Sequence, residues 1–183
     1  TTIDGPAGAL EVVLNVPEGP PAGIALVAHP HSQQGGTLDN KVVQTLAKTF
    51  FALGYAAVRF NFRGVGQSEG AFDEGIGETA DALAALAHAR MRFDANPPAL
   101  PVVLAGFSFG SYVQTRVAES VAAERLVLVG PAVQRFAVGA VPAGTIVVHG
   151  EEDDIVPLAD VLDWARPQHL PIVVFPGCGH FFH

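Results

Sequence analysis

Short, nearly uninterrupted apolar runs separated by helical patterns constrain this chain more than any other feature. "LEVVLNV" (10–16), "GIALVAH" (23–29), "YAAVRFNF" (55–62), "PVVLAGF" (101–107), "RLVLVG" (125–130), "TIVVHG" (145–150) and "PIVVFPG" (171–177) read as strands. A strand that is apolar on both faces belongs in a sheet covered on both sides. The intervening segments carry helical signals. In "DNKVVQTLAKTFFALG", Val42, Val43, Leu46, Phe50 and Leu53 recur at helical spacing, with Asp39 as the expected N-cap and Gly54 as the terminator. Further helices are expected at about 76–92, 109–119 and 158–165, the first with Glu78 and Asp81 where the helix dipole favours acids. This alternation predicts an α/β fold: a doubly wound, mostly parallel central sheet with helices on both faces. The stretch 131–144 reads as a loop.

Composition agrees. The 183 residues fit one domain, 1–183, and they are 49% hydrophobic but only 15% charged. A net charge of −8 opposes binding to nucleic acid or an anionic membrane. No apolar run has the length of a membrane span, and no signal peptide is evident. One cysteine, Cys178, excludes an intrachain disulfide framework, so a reducing, cytoplasmic setting is the expectation.

The chemistry gathers at "GFSFG" (106–110). Five serines and 20 glycines in 183 positions give only about 0.06 accidental G-x-S-x-G matches. Here the motif also joins a strand to a helix, the setting of a nucleophile elbow. Glycines at 106 and 110 leave room for a sharp turn. The helix that follows turns its N-terminal N–H groups toward Ser108, making the N–H of Phe109 an oxyanion donor. The competing reading is a tight turn with a serine cap.

A serine hydroxyl needs a base, and the base an orienting acid. In an elbow fold the chain order is serine, acid, histidine. His149, His169, His180 and His183 follow Ser108. His180, in the loop "PGCGHFF" after the last strand, is best placed. His169 precedes that strand, and His183 is expected to begin a helix. The acid falls in "VVHGEEDDIVP", where Glu151, Glu152, Asp153 and Asp154 are equivalent on residue type alone; most such acids are simply solvated.

Strand–"GFSFG"–helix, "HGEEDDIVP" and "PGCGHFF", in this order, resemble the α/β-hydrolase superfamily along essentially the whole chain. More narrowly, "HPHSQQGGTLDNKVV", "VRFNFRGVGQSEG" and "GHFFH" resemble small bacterial hydrolases close to the dienelactone hydrolases. The resemblance implies that the acid lies four residues before the proline of "IVP", which is Asp153, with Asp154 next. It implies a catalytic triad of Ser108, Asp153 and His180. It also implies a second oxyanion N–H from the loop after the strand 23–28. Pro30 has none to give, so His31 is the candidate, followed by Ser32. "RGVGQSEG" resembles a structural turn of these hydrolases; its glycines miss the dinucleotide fingerprint and it lacks a P-loop lysine.

The activity implied is that of a serine hydrolase of the carboxylesterase type, acting on a small-molecule acyl substrate without metal or organic cofactor. An acyltransferase using the same residues and a non-catalytic binding module are the alternatives. His29 and His31 make a poor metal pair without a nearby carboxylate or thiolate. Cys178 reads as packing. Phe107, Phe109, Phe181 and Phe182 are candidates for an apolar acyl pocket, although phenylalanine is ordinarily core. About 15 residues separate the strand 125–130 from the next, too few for the cap domain such hydrolases often carry, so an open site is expected. The superfamily places a helix after the last strand. Only three residues follow His180, so that helix is expected to be missing and the face beside His180 under-packed.

Overall fold

The computed structural model describes residues 1–94 and 98–183. Eight strands of the described residues form one sheet: β1 (Thr2–Gly5), β2 (Gly8–Asn15), β3 (Ile24–Ala28), β4 (Ala56–Phe60), β5 (Val102–Phe107), β6 (Arg125–Val129), β7 (Ile146–Gly150) and β8 (Ile172–Phe175). Their order across the sheet is β1-β2-β4-β3-β5-β6-β7-β8. From β4 through β8 all pairings are parallel, whereas β2 runs antiparallel to β1 and to β4. Among the described residues, four α-helices pack on the sheet: α1 (Lys41–Ala52), α2 (Ile76–Phe93), α3 (Phe109–Ala118) and α4 (Leu158–Ala165).

The strand pleat sorts the core into layers. Ile24, Leu26 and Ala28 of β3 join Val102 and Leu104 of β5 in a cluster with residues of α2 and α3. The alternate residues Ala25, Val27, Val103, Ala105 and Phe107 join Val43, Ala47 and Phe50 of α1 on the opposite face. A smaller cluster, Ala132, Val147, Val156 and Val161, forms beside α4. The central strands β3 and β5 are fully buried, which explains their continuous apolar runs.

The first residues form the β1–β2 hairpin, with Gly5 opposite Gly8. One local expectation changes. The N-cap of α1 is Asn40 rather than Asp39: its side chain accepts from the N–H groups of Val42 (2.9 Å) and Val43 (3.4 Å). Asp39 instead pairs with Arg59 at 3.2 Å. Glu78 and Asp81, in the early turns of α2, are buried. Glu78 accepts from the N–H groups of Asp73 and Gly75, and Asp81 grips the Arg63 guanidinium at 2.9 and 3.0 Å. The His183 ring stacks on Phe181. The segment 131–144 holds no helix or strand, so no cap stands over the sheet there. Among the described residues, no helix is long and apolar enough to cross a membrane.

Candidate active site

β3 has β4 on one side and β5 on the other, although β4 follows it in the chain. At such a switch point the loops leaving the carboxyl ends diverge and open a crevice. The loop after β3 carries His29–Gly36, and the turn after β5 carries Ser108.

Ser108 holds φ 54° and ψ −116°, a conformation seldom adopted by a residue with a side chain. The surroundings enforce it. Its N–H donates to the Val129 carbonyl at 2.8 Å, continuing the β5–β6 pairing to the end of the strand. α3 starts at the very next residue. A Cβ at Gly106 would strike the Gly110 backbone, and one at Gly110 would strike the carbonyls of Ala28 and His29. The glycines therefore permit the close approach of strand, helix and β3 loop on which the turn depends.

His180 and Asp153 meet across the loops after β8 and β7. The His180 Nδ1–H donates to Asp153 Oδ2 at 2.6 Å, and both residues are buried. Asp153 Oδ1 accepts from the N–H groups of Ile155 (3.0 Å) and Val156 (2.7 Å). Burial alone would push this carboxyl up; the hydrogen bonds from His180 and the Val156 N–H, with the adjacent imidazoles, bring it below its ordinary value. Glu151, Glu152 and Asp154 are exposed, so of the four acids only Asp153 meets His180.

Two glycines outside the elbow make this meeting sterically possible. Gly130, at φ 50°, leaves the space taken by the His180 ring: a Cβ there would lie 3.2 Å from Cε1. A Cβ at Gly150 would collide with the carbonyls of Cys178 and Gly179. Each closes a strand run, "VLVG" and "VVHG", and that position is the signal the sequence carries for them. The two loops are also tied directly, by Glu152 N–H to Cys178 O (2.9 Å) and Gly177 N–H to Glu151 Oε2 (2.9 Å).

Ser108 and His180 line one cavity of about 90 Å³, together with Pro30, His31, Asn40 and Phe181 among others. Among the described residues no hydrogen bond joins Ser108 Oγ to His180 Nε2. Nor do the N–H groups of His31 and Phe109 donate to an acceptor of the chain. The His31 ring packs on Phe72 and Phe109.

The neighbouring candidates have structural roles. His29 is fully buried, with Nδ1–H donated to Pro30 O (2.6 Å) and Nε2 accepting from the Phe62 N–H (3.0 Å). Burial lowers its pKa to about 4, so the imidazole is neutral and neither nitrogen is free for a metal. Phe107 and Phe109 are core, and only Phe181 of the four phenylalanines lines the cavity. Phe182 faces an adjoining apolar trough with Phe181. The turn at 63–68 is held by Arg63–Asp81 and by the Ser68 hydroxyl donating to Asn61 O (2.7 Å).

Residues 34–138 match the family described as serine aminopeptidase, S33. An uncharacterized protein of Rickettsia prowazekii (strain Madrid E) is 34% identical, the alignment covering 98% of this chain and 80% of that protein. An alpha-beta serine hydrolase homologue from Coxiella burnetii superposes with a TM-score of 0.91 at 38% identity, over 100% of this chain and 89% of the other. A Xanthomonas campestris protein, a member of the a/b serine hydrolases without lid, gives 0.93 at 38% identity, over 100% and 85%. The elbow, the strand order and these likenesses converge: the chain belongs to the α/β-hydrolase superfamily, in the family described as serine aminopeptidase, S33.

Proposed function

We propose that the protein cleaves a small carboxylic ester, or a related acyl bond, through an acyl-enzyme on Ser108. The observation that carries this reading is the strained serine sharing one small cavity with His180, itself bonded to Asp153 at 2.6 Å. His180 Nε2 takes the Ser108 proton as Oγ bonds to the substrate carbonyl carbon. The carbonyl oxygen becomes an oxyanion held by the N–H groups of Phe109 and His31. Collapse of this intermediate breaks the bond to the leaving group, which departs with the proton from His180. Water then adds by the same route and frees the acid. Asp153 keeps the imidazole in the required tautomer and offsets its charge when protonated. The residues this route needs require neither metal nor organic cofactor. The cavity of about 90 Å³ and the absence of a helical cap over it favour short acyl groups on a small-molecule substrate.

The test is fluorophosphonate labelling with peptide mapping, followed by turnover of p-nitrophenyl esters of increasing chain length. The expected result is labelling at Ser108 and rates that fall as the acyl chain lengthens, both abolished by Ser108→Ala. Full esterase activity in Ser108→Ala would overturn the nucleophile. Aminoacyl p-nitroanilides run in parallel separate the ester reading from a peptidase: faster cleavage of the anilides would replace it. Products formed with added alcohol distinguish hydrolysis from acyl transfer.

A further inference from the structure

His149 is a fully buried side chain that the proposed chemistry leaves without a role. It is the penultimate residue of β7, four positions before Asp153. Its Nε2–H donates to the Val156 carbonyl at 2.8 Å, across the acid loop. The same nitrogen lies 3.4 Å from Asp153 Oδ2, the oxygen that receives the His180 Nδ1–H. Its Nδ1 is buried with no partner among the described residues.

These contacts fix the state of the ring. A carbonyl can only accept, so Nε2 carries the proton. A second proton on Nδ1 would be buried without an acceptor, which disfavours the imidazolium. Desolvation accordingly lowers the pKa of His149. The ring is a fixed neutral donor. An aliphatic residue could fill the same space without an unmatched nitrogen, so the donor is what distinguishes histidine here.

Resting on the reading that Asp153 orients His180, we propose that His149 is a positioning residue for this acid–base pair. Its Nε2–H closes the loop 150–156 at Val156 O and presents a positive edge to Asp153 Oδ2. Val156 is held from both sides: its carbonyl by His149, its N–H by Asp153 Oδ1 at 2.7 Å. The carboxylate is thereby aimed along the short bond to His180. His149 does not line the Ser108 cavity, so its effect belongs to kcat rather than to substrate binding.

The test compares three substitutions. His149→Gln can set an amide N–H near the Nε2 position. His149→Asn ends at the Nδ1 position, short of Val156 O. His149→Phe keeps a ring and removes the donor. Two readouts apply: the far-downfield proton resonance of His180 Nδ1–H, and kcat and KM for p-nitrophenyl acetate, per site titrated by fluorophosphonate. The expected result is that His149→Gln stays within about threefold of wild type, while His149→Asn and His149→Phe lose about 10- to 100-fold in kcat at unchanged KM. The resonance should persist in the Gln variant and shift or broaden away in the other two. Folded Asn or Phe variants with wild-type resonance and kcat would overturn the proposal. Should neither fold, a displaced resonance in His149→Gln would overturn it instead. A wild type that resists the probe, yet shows a resonance that responds to His149, would remove the hydrolase reading and leave the positioning role standing.

Discussion

The elbow around Ser108 and the edge that carries Asp153 and His180 are built on different principles. The elbow stands in the middle of the sheet, on a strand buried along its whole length. Backbone contacts define it: β6 holds the Ser108 N–H, and the Ser111 hydroxyl donates to Gly106 O at 2.7 Å. The Gln114 amide beneath bonds the carbonyls of Leu26 and Ala105. The acid–base edge hangs on the last two strands, and β8 leaves Val173, Val174 and Phe175 exposed. Its geometry comes from side-chain bonds between two loops. The strained element is thus the one the fold over-determines, while the element proposed to handle protons relies on a few hydrogen bonds. A side chain added at the elbow glycines should strike folding and chemistry together; a change at the edge should separate them.

Gly110→Val breaks the elbow most severely. Its side chain would enter the backbone of Ala28 and His29. The expected loss is about 3 kcal/mol or more, with activity lost as well, read from urea unfolding and ester turnover. Asp153→Asn should break the edge alone. Asn can still accept from the loop N–H groups but turns the wrong group toward His180, so kcat should fall about ten-thousandfold with a near-normal melting temperature. A large drop in melting temperature would mean that the edge is structural too.

The loop after β3 sharpens the comparison through pH. His29 has a folded pKa of about 4 because burial disfavours its charge. It therefore contributes stability above its unfolded pKa of about 6.5, and loses it as pH falls from there toward 4. The loss should reach about 3 kcal/mol, visible as a pH-dependent urea midpoint and flattened in His29→Asn. Asp153 acts in a lower window. Its depressed carboxyl contributes stability above the ordinary carboxylate range, and loses it only as pH falls below that range. The smallest effect is expected at the nucleophile. Ser108→Gly relieves a side chain held at φ 54° and should raise stability by about 1 kcal/mol while abolishing activity, as measured by thermal melting. No gain in stability would mean that the elbow stores no strain.

Legibility in the sequence follows the same division. The elbow was readable because its constraints are local: a strand, two glycines at fixed offsets and a helix start fall within ten residues. The sheet was readable because β3 and β5 are buried on both faces. Residue type alone leaves four acids in the loop after β7; the resemblance favours Asp153, and the approach of His180 in the fold separates it from Asp154. His149 was passed over because its partners lie in a loop whose shape no periodicity encodes. Asn40 and Asp39 are both good caps, and the choice was made by Arg59, 20 residues away in sequence, which recruits Asp39. β1 is not legible in the sequence because a four-residue strand beside Gly and Pro gains its identity from its neighbour β2.

The uncapped stretch 131–144 bears on how such a site would work over time. With no cap built from this stretch, nothing in it must open before a product leaves or a water arrives. Selectivity then has to be exercised at the floor of the crevice, by Phe181, Ile155 and the loop His31–Gly36, because the mouth turns nothing away.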